Sequence, residues 1–220
     1  MKKIVLIISI FFISLISLVC YRGDLYDNVA GIPLESVIPL VSPEKKIYIF
    51  ADPTKHTGDL RNGQTDGRTG ANSLCQSAAA SFSSLNGLTV YAFISDPIYY
   101  NIRDLVPSDY STAPVYGIIS VPYTETLISN TWNDLWNTSL DPRLLTNLQA
   151  ATGVSGEWWS GSISDGLSDG DNCNNWNNGG GGYSGRTGLT GATDSSWIYY
   201  VSPLRPLTCS SLATLMCVAY

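Results

Sequence analysis

Residues 209–220 read Cys209-Ser-Ser-Leu-Ala-Thr-Leu-Met-Cys217-Val-Ala-Tyr220, and the stretch from Leu212 to Tyr220 predicts a closing β-strand. Two of the five cysteines of the chain lie here. Once the N-terminal Cys20 is set apart as a lipidation candidate, four remain: Cys75, Cys173, Cys209 and Cys217. An even number of cysteines in an exported chain predicts two disulfides. Zinc-binding pairs are two to four residues apart, and no such pair occurs. The spacings leave all three disulfide connectivities open.

The N-terminus has the features of an export signal. Met1-Lys2-Lys3 is positively charged, and an apolar or small run from Ile4 to Val19 precedes Cys20. This run is shorter than the roughly 20 residues of a transmembrane helix but suits a signal peptide. We therefore expect a signal peptide over residues 1–20, ending at a lipobox-like Cys20, and a tether over residues 21–45. A simple secretory signal or an uncleaved anchor is the alternative, because Val19 is larger than the residue usual before a lipidated cysteine.

The composition is that of an exported, turn-rich protein with a real core. Of 220 residues, 44% are apolar and only 14% are charged, below the usual quarter. Without Lys2 and Lys3, ten basic residues face eighteen acidic ones, so the mature chain has a net charge of −8. Binding to nucleic acid or heparin needs clustered Lys and Arg, and the mature chain has no such cluster. We therefore expect it to bind neither nucleic acid nor heparin.

Periodicity predicts several elements in the domain of residues 46–220. Apolar positions from Leu74 to Leu85 recur at helical spacing, with Asn72 or Thr69 as the cap, and Trp132–Trp136 predicts a short helix. Strands are predicted at Ile47–Ala51, Leu88–Ser95, Val115–Val121, Trp197–Val201 and Leu212–Tyr220. The segment 153–191 is too rich in glycine and polar residues to be regular, and a covalent tie through Cys173 is expected to order it.

Three groups of motifs occur in a familiar order. They are Gly67-Arg-Thr-Gly-Ala-Asn-Ser-Leu-Cys75, then Thr131-Trp132-Asn-Asp-Leu-Trp136, and finally Trp159-Ser-Gly-Ser162, Asp165-Gly166, Cys173-Asn-Asn-Trp176 and Cys209 to Val218. Together with Gly58-Asp59-Leu60, this set resembles endostatin-type domains and a family of uncharacterised leptospiral lipoproteins. The resemblance covers residues 46–220. It implies an α+β, C-type-lectin-like fold with a twisted antiparallel sheet, two helices and long disulfide-tied loops. It also implies the nested pairing Cys75–Cys217 and Cys173–Cys209.

The sequence offers little for catalysis or metal binding. The single histidine, His56, has Asp52 and Asp59 nearby, but no nucleophile elbow accompanies it. Asp165, Asp169 and Asp171 form a weak calcium candidate, because hard carboxylate oxygens suit Ca²⁺. Counted from Asp165, an EF-hand frame fails at its third and twelfth positions. We expect no metal and no cofactor, with the three aspartates acting as solvated turn residues.

The aromatic residues indicate where a ligand would bind. We expect Trp132, Trp136, Trp159 and Trp176 to be core residues. Trp158 is adjacent to Trp159, and neighbouring side chains on extended backbone point to opposite faces. Trp158 is therefore predicted to be exposed and, with Tyr183 and the three aspartates, to contact a ligand.

These observations favour a non-enzymatic surface lipoprotein, anchored in the outer membrane by its lipid. It would be a binding or adhesion module for a host or matrix ligand. The alternative is an envelope glycan-binding or glycan-hydrolysing domain, and the alternative location is secreted or periplasmic.

Overall fold

The structure is a computed structural model that describes residues 44–98, 100–202 and 205–220. The predicted signal peptide with Cys20, and all but the last two residues of the predicted tether, lie outside the described residues. Among the helices of the described part, none has the length and apolar character needed to cross a membrane.

A mixed sheet forms the centre of the domain. Its strands follow the spatial order β4-β3-β1-β9-β5-β7, and β2 also pairs with β9. The strands are β1 (Ile47–His56), β2 (Val90–Ala92), β3 (Val115–Ser120), β4 (Tyr123–Ser129), β5 (Glu157–Trp159), β7 (Thr187–Leu189) and β9 (Ala213–Ala219), while β6 (Ser184–Gly185) and β8 (Leu207–Thr208) pair separately. The α-helices are α1 (Gly67–Ala79) and the one-turn α2 (Leu148–Thr152). The domain is therefore α+β with a mostly sheet core and few helices.

The first and last strands of the domain are neighbours. Tyr48 pairs with Ala219 and Phe50 with Cys217 in an antiparallel ladder, which brings the two ends of the domain together. The expected antiparallel sheet is wrong at two pairs of strands, because β1 runs parallel to β3 and β5 runs parallel to β9. A parallel pair needs a long crossover, and for β1 and β3 the segment containing α1 and β2 provides it.

Helix α1 begins earlier than its periodicity predicts. Asp66 is the N-cap, and its side chain accepts a hydrogen bond from the Thr69 N–H at 2.8 Å. The expected cap Asn72 instead lies inside the helix, where its Oδ1 accepts from the Ala92 N–H at 2.9 Å and ties α1 to β2. The helix also ends early, at Ala79. Leu85 follows in a 3₁₀ turn but packs into the same core.

Side chains alternate along β9 between two buried cores on opposite faces of the sheet. Leu215 and Cys217 point to one face, and Met216 and Val218 to the other. We call the first the disulfide core, because it contains both disulfides beneath α1. We call the second the aromatic core, because Phe93 lies there within 6.3 Å, centroid to centroid, of four tryptophan rings. Those rings belong to Trp132, Trp136, Trp158 and Trp197.

Two disulfides lie in the first core. Cys75–Cys217 joins α1 to β9, and Cys173–Cys209 joins the long loop to the segment preceding β9. This is the nested pairing that the resemblance implies. Gly58 packs directly on the second bridge, because a Cβ there would lie 2.1 Å from Cys173 Sγ.

Two elements that were predicted near tryptophans are 3₁₀ turns in the structure. The strand predicted at Trp197–Val201 is wrong: Ser195–Trp197 is a 3₁₀ turn, closed by the Asp194 side chain accepting from the Ser196 N–H at 2.8 Å. The helix predicted at Trp132–Trp136 is a 3₁₀ turn over Asn133–Trp136. Strand β4 has no counterpart in the sequence predictions; it pairs with β3 as a hairpin.

Candidate ligand-binding site

The long segment between β5 and β7 is irregular but extensively tied to itself. The Asp169 N–H donates to the Gly161 carbonyl at 2.8 Å, and the Arg186 N–H donates to the Asp171 carbonyl at 2.7 Å. Ser162 and Ser168 form an isolated antiparallel bridge. These backbone hydrogen bonds order the segment. They act together with the expected covalent tie through Cys173.

A left-handed turn occupies the middle of this segment. All four residues from Cys173 to Trp176 have positive φ, between 53° and 62°. This conformation costs roughly 1–2 kcal/mol per residue that has a Cβ. The turn is held by the Cys173–Cys209 disulfide and by Trp176, which is fully buried and donates from Nε1 to the Ser95 carbonyl at 2.9 Å. Asn172 caps it by accepting from the Asn175 N–H. Covalent and buried contacts therefore offset local strain.

The aspartates predicted as a weak calcium site are used differently. Asp169 accepts from Arg186 Nε at 2.7 Å, and Asp171 accepts from Arg186 Nη2 at 3.1 Å. Asp165 lies apart, with its Oδ1 accepting from the Leu167 N–H and its Oδ2 4.0 Å from Arg103 Nη1. Among the described residues, no group of three or more metal-ligating side chains could hold an ion. Asp169 and Asp171 therefore close the loop by binding the same Arg186 guanidinium.

The structure contradicts the predicted exposure of Trp158. Both Trp158 and Trp159 are completely buried. The predicted alternation is correct, since Trp159 lies in the disulfide core and Trp158 in the aromatic core. The inference of exposure is wrong because both faces of the sheet are covered at β5. Trp158 stacks on Phe93 with centroids 5.6 Å apart and donates from Nε1 to the Trp197 carbonyl.

The other predicted aromatic residues are placed as follows. Tyr183 is 48% exposed in the glycine-rich part of the loop, as expected. Trp132 and Trp176 are buried, also as expected, whereas Trp136 is only half-buried at the edge of the aromatic core. Trp136 is therefore partly exposed, whereas Trp158 is not.

Three loops meet beside Trp136, and we call their residues 100–104, 133–137 and 160–171 the loop surface. The Ser168 N–H donates to Asn101 Oδ1 at 3.0 Å, which joins the first and third loops. Trp132, the residue before the second loop, donates from Nε1 to the Arg103 carbonyl at 2.9 Å, which joins that loop to the first. Direct hydrogen bonds therefore fix the loops to one another.

A cavity of about 410 Å³ opens on the loop surface. It is lined by Arg103, Asp104, Asn133, Trp136 and Asn137. Sequence reasoning placed Trp136 in the core and Asn133 at the start of a helix, and it predicted none of the five as a ligand contact. A signal was present, because Asn133 and Asn137 have the same four-residue spacing as the two tryptophans of that turn.

A buried arginine supports the segment that leads into the first loop. Arg68, near the start of α1, donates from Nη1 to the Ile94 carbonyl at 2.7 Å and lies 3.8 Å from Asp96. Its guanidinium also faces the Tyr100 ring, whose centroid is 5.5 Å away. Burial is the main cause that lowers the pKa of Arg68, and the nearby Asp96 carboxylate opposes this effect.

The residues considered for catalysis are paired locally. His56 Nε2 lies 3.0 Å from Asp52 Oδ2, and the His56 carbonyl accepts from Trp159 Nε1. Asp59 is bound by Arg61 through Nε and Nη2, and hydrogen bonding from this guanidinium lowers the pKa of Asp59. The structure therefore brings His56 to Asp52 but gives Asp59 a different partner.

Comparison with known proteins adds no relative, since no family model matches the chain and no curated protein does.

Proposed function

We propose that this chain is a non-enzymatic surface lipoprotein whose domain of residues 46–220 is a binding or adhesion module for a host or matrix ligand. The observation that carries the proposal is the loop surface. Its loops are irregular, yet they are fixed to one another by hydrogen bonds and to the body of the domain by a disulfide and the Arg186 ion pairs. Loops positioned by a rigid scaffold are where binding residues concentrate.

We also propose that the fold is C-type-lectin-like and that the chain belongs with the leptospiral lipoproteins it resembles. Three observations support this: the adjacency of the first and last strands, the disulfide that joins α1 to β9, and the long disulfide-tied segment after β5. A fold of this kind serves as a scaffold, so the function must be argued from the site it displays.

The pairing of titratable groups supports a binding role over a catalytic one. A glycoside hydrolase needs two carboxyl groups facing one another across a substrate, one of them protonated. Asp169 and Asp171 instead both accept hydrogen bonds from Arg186, whose side chain is only 11% exposed. Both carboxylates therefore bind one guanidinium, and they do not face one another across a substrate.

The proposed location depends on the sequence at Cys20. A lipid on this cysteine would anchor the chain in the outer membrane, and the tether 21–45 would hold the domain away from the bilayer. Acyl labelling tests this proposal with an alkyne fatty acid in a bacterial host, followed by protease treatment of intact cells. We expect labelled protein whose domain is accessible on intact cells, and no label on Cys20→Ala. Equal labelling of both proteins would contradict the anchor.

Adhesion tests the binding role separately. Bacteria that display the full chain are expected to adhere to immobilised matrix proteins or host-cell layers more strongly than bacteria without it. Cells with the Cys20→Ala variant should lose this gain, because the module is no longer anchored. Unchanged adhesion by cells that do display the protein would overturn the proposed function.

A further inference from the structure

We infer that the open edge of strand β2 binds an extended peptide segment with uncharged, apolar side chains, which adds to the sheet as a further strand. The surface is formed by β2 and α1 and uses none of the residues of the loop surface, so the inference goes beyond the proposed function. Three features carry it: the orientation of the backbone groups of β2, the way in which α1 covers part of this edge, and the cavity beside the remaining part.

The backbone groups of β2 alternate between those that face β9 and those that point away from it. Thr89, directly before β2, exchanges both backbone hydrogen bonds with Tyr220, at 3.0 and 3.2 Å. In an antiparallel pair, such residues alternate with residues that make no hydrogen bond to the partner strand. Val90 lies next, opposite Ala219, so its N–H and carbonyl point away from β9. Ala92 lies two residues further on and has the same orientation.

Side chains of α1 take the place of a neighbouring strand over part of this edge. Asn72 Oδ1 accepts from the Ala92 N–H at 2.9 Å, and Arg68 Nη1 donates to the Ile94 carbonyl at 2.7 Å. Residues four apart lie on one face of a helix, about 6 Å apart along its axis. Alternate residues of an antiparallel strand are roughly 6.8 Å apart, so the two spacings match. The edge is therefore covered at Ala92 and Ile94.

The edge stays open at the next position, Val90. The helical row that contains Arg68 and Asn72 continues at Gln76, which is exposed. Within the described residues, neither backbone group of Val90 has a hydrogen-bond partner, and no hydrogen bond joins the Gln76 side chain to β2. Unpaired N–H and carbonyl groups on an edge strand are a template for pairing with another chain. Val90 therefore offers one donor and one acceptor to an added strand.

A cavity of about 440 Å³ opens beside Val90. It is lined by Gln76, Ala79, Ala80 and residues 85–91. None of these lining residues carries a charge, and Leu85 and Leu88 offer apolar contacts. A charged side chain would lose water here without an opposite charge to bind, whereas an apolar side chain would not. The cavity therefore complements an uncharged segment.

An extended peptide fits this edge better than a second copy of the domain does. The β2 strands of two copies cannot pair along their length, because in each copy α1 already covers Ala92 and Ile94. A peptide needs only the position at Val90 and the space of the cavity. Its backbone N–H can donate to the Val90 carbonyl, and its carbonyl can accept from the Val90 N–H. In strand addition of this kind, main-chain hydrogen bonds give affinity and side-chain pockets give specificity.

The test uses the purified full-length protein and an array of acetylated, amidated hexapeptides in which Val, Leu, Ile or Tyr alternates with Thr or Ser. Matched peptides carry Lys or Glu at the apolar positions. Fluorescence polarisation with the best uncharged peptide then gives the dissociation constant. We expect uncharged peptides to bind. Methylation of one backbone nitrogen of the peptide should weaken binding about tenfold or more at a single position, because the donor to the Val90 carbonyl is lost and the methyl group blocks close approach.

Two protein variants, each with a matched control, test whether binding occurs at this edge. Val90→Pro removes the outward N–H but no bond to β9, and an edge strand tolerates proline where the N–H points outward. It should weaken binding about tenfold or more, whereas Val90→Ala keeps the N–H and should bind within about threefold of wild type. Gln76→Arg introduces a charge at the cavity and should weaken binding severalfold. Ser77→Arg, at an exposed neighbouring position outside the lining, should bind as wild type does. Thermal unfolding checks that each variant is folded.

Amide exchange in the wild-type complex identifies the contact without any substitution. Bound peptide should slow exchange of the Val90 amide at least about tenfold. The Ala92 amide already donates to Asn72 and should change little. Unchanged exchange at Val90 in the saturated complex would overturn the inference, even if Val90→Pro does not fold. Failure of every uncharged peptide to bind, a preference for the charged peptides, or binding that folded Val90→Pro and Gln76→Arg both leave unchanged would also overturn it.

Discussion

The disulfide core and the aromatic core cover opposite faces of one sheet, and they are stabilised by different means. The first contains both bridges, Cys75–Cys217 and Cys173–Cys209, and packs beneath α1. The second contains no cysteine among its described residues and is built around Phe93 and its tryptophan neighbours. A cross-link acts mainly on the unfolded chain, whereas stacked aromatic rings act by burial and contact in the folded one. The cavity lined by Trp136 opens at the edge of the aromatic core.

Substitution of the two adjacent tryptophans on β5 should give the largest loss of stability and so tests this comparison first. Trp158→Ala removes a ring from the aromatic core, and Trp159→Ala removes one from the disulfide core. Each side chain is fully buried, so each variant should lose about 3–5 kcal/mol of unfolding free energy. Urea unfolding under non-reducing conditions measures both. A loss below about 1 kcal/mol for Trp158→Ala, as for a surface residue, would show that the aromatic core does not enclose it.

Removal of the disulfides tests the covalent half of the comparison. The outer bridge spans 142 residues and the inner one 36, so loop entropy predicts contributions of roughly 5 and 4 kcal/mol, as upper estimates. We expect Cys75→Ala/Cys217→Ala to lose about 2–5 kcal/mol and Cys173→Ala/Cys209→Ala to lose less. Urea midpoints of the two variants provide the measurement. The reverse order would mean that native-state effects at the left-handed turn outweigh loop entropy.

The sequence was a better guide to the disulfide core than to the aromatic one. The cysteine pairing implied by the resemblance is the pairing found, although the spacings alone left all three connectivities open. Burial of Trp158 could not be predicted, because alternation along a strand gives the face of a residue but not what covers that face. The covering residue Trp197 lies 39 positions away, in a turn that was predicted as a strand.

The candidate site was missed for a related reason. Its five lining residues come from two loops, and only the tertiary structure brings Arg103 and Asp104 beside Asn133 and Asn137. Periodicity correctly placed Trp132 in the core, and it implied the same for Trp136, four residues later. The edge position of Trp136 depends on where the aromatic core ends.

A smaller effect is expected at the cap of α1, which belongs to the disulfide core alone. Asp66→Ala should cost about 1 kcal/mol, because the Thr69 N–H loses its acceptor, while Asp66→Asn should retain most of that stability. Hydrogen bonding from Thr69 lowers the pKa of Asp66 below its ordinary value of about 3.9. The charged form is favoured in the folded state, so the contribution is present above that ordinary value and lost as the pH falls through the folded-state pKa. Thermal unfolding from pH 7 to pH 2 should show a smaller pH dependence in Asp66→Ala. An identical dependence in both proteins would contradict this.

Hydrogen exchange tests the central claim most directly, namely that the irregular segment after β5 is held rigid by its own hydrogen bonds, the Arg186 ion pairs and the Cys173–Cys209 disulfide. The amides of Ile163, Asp169 and Arg186 donate to backbone carbonyls within the irregular segment. In the oxidised full-length protein we predict that they exchange at least about a hundredfold more slowly than in an unstructured peptide. Exchange of all three at the unstructured rate, while the β1 and β9 amides remain protected, would contradict the account.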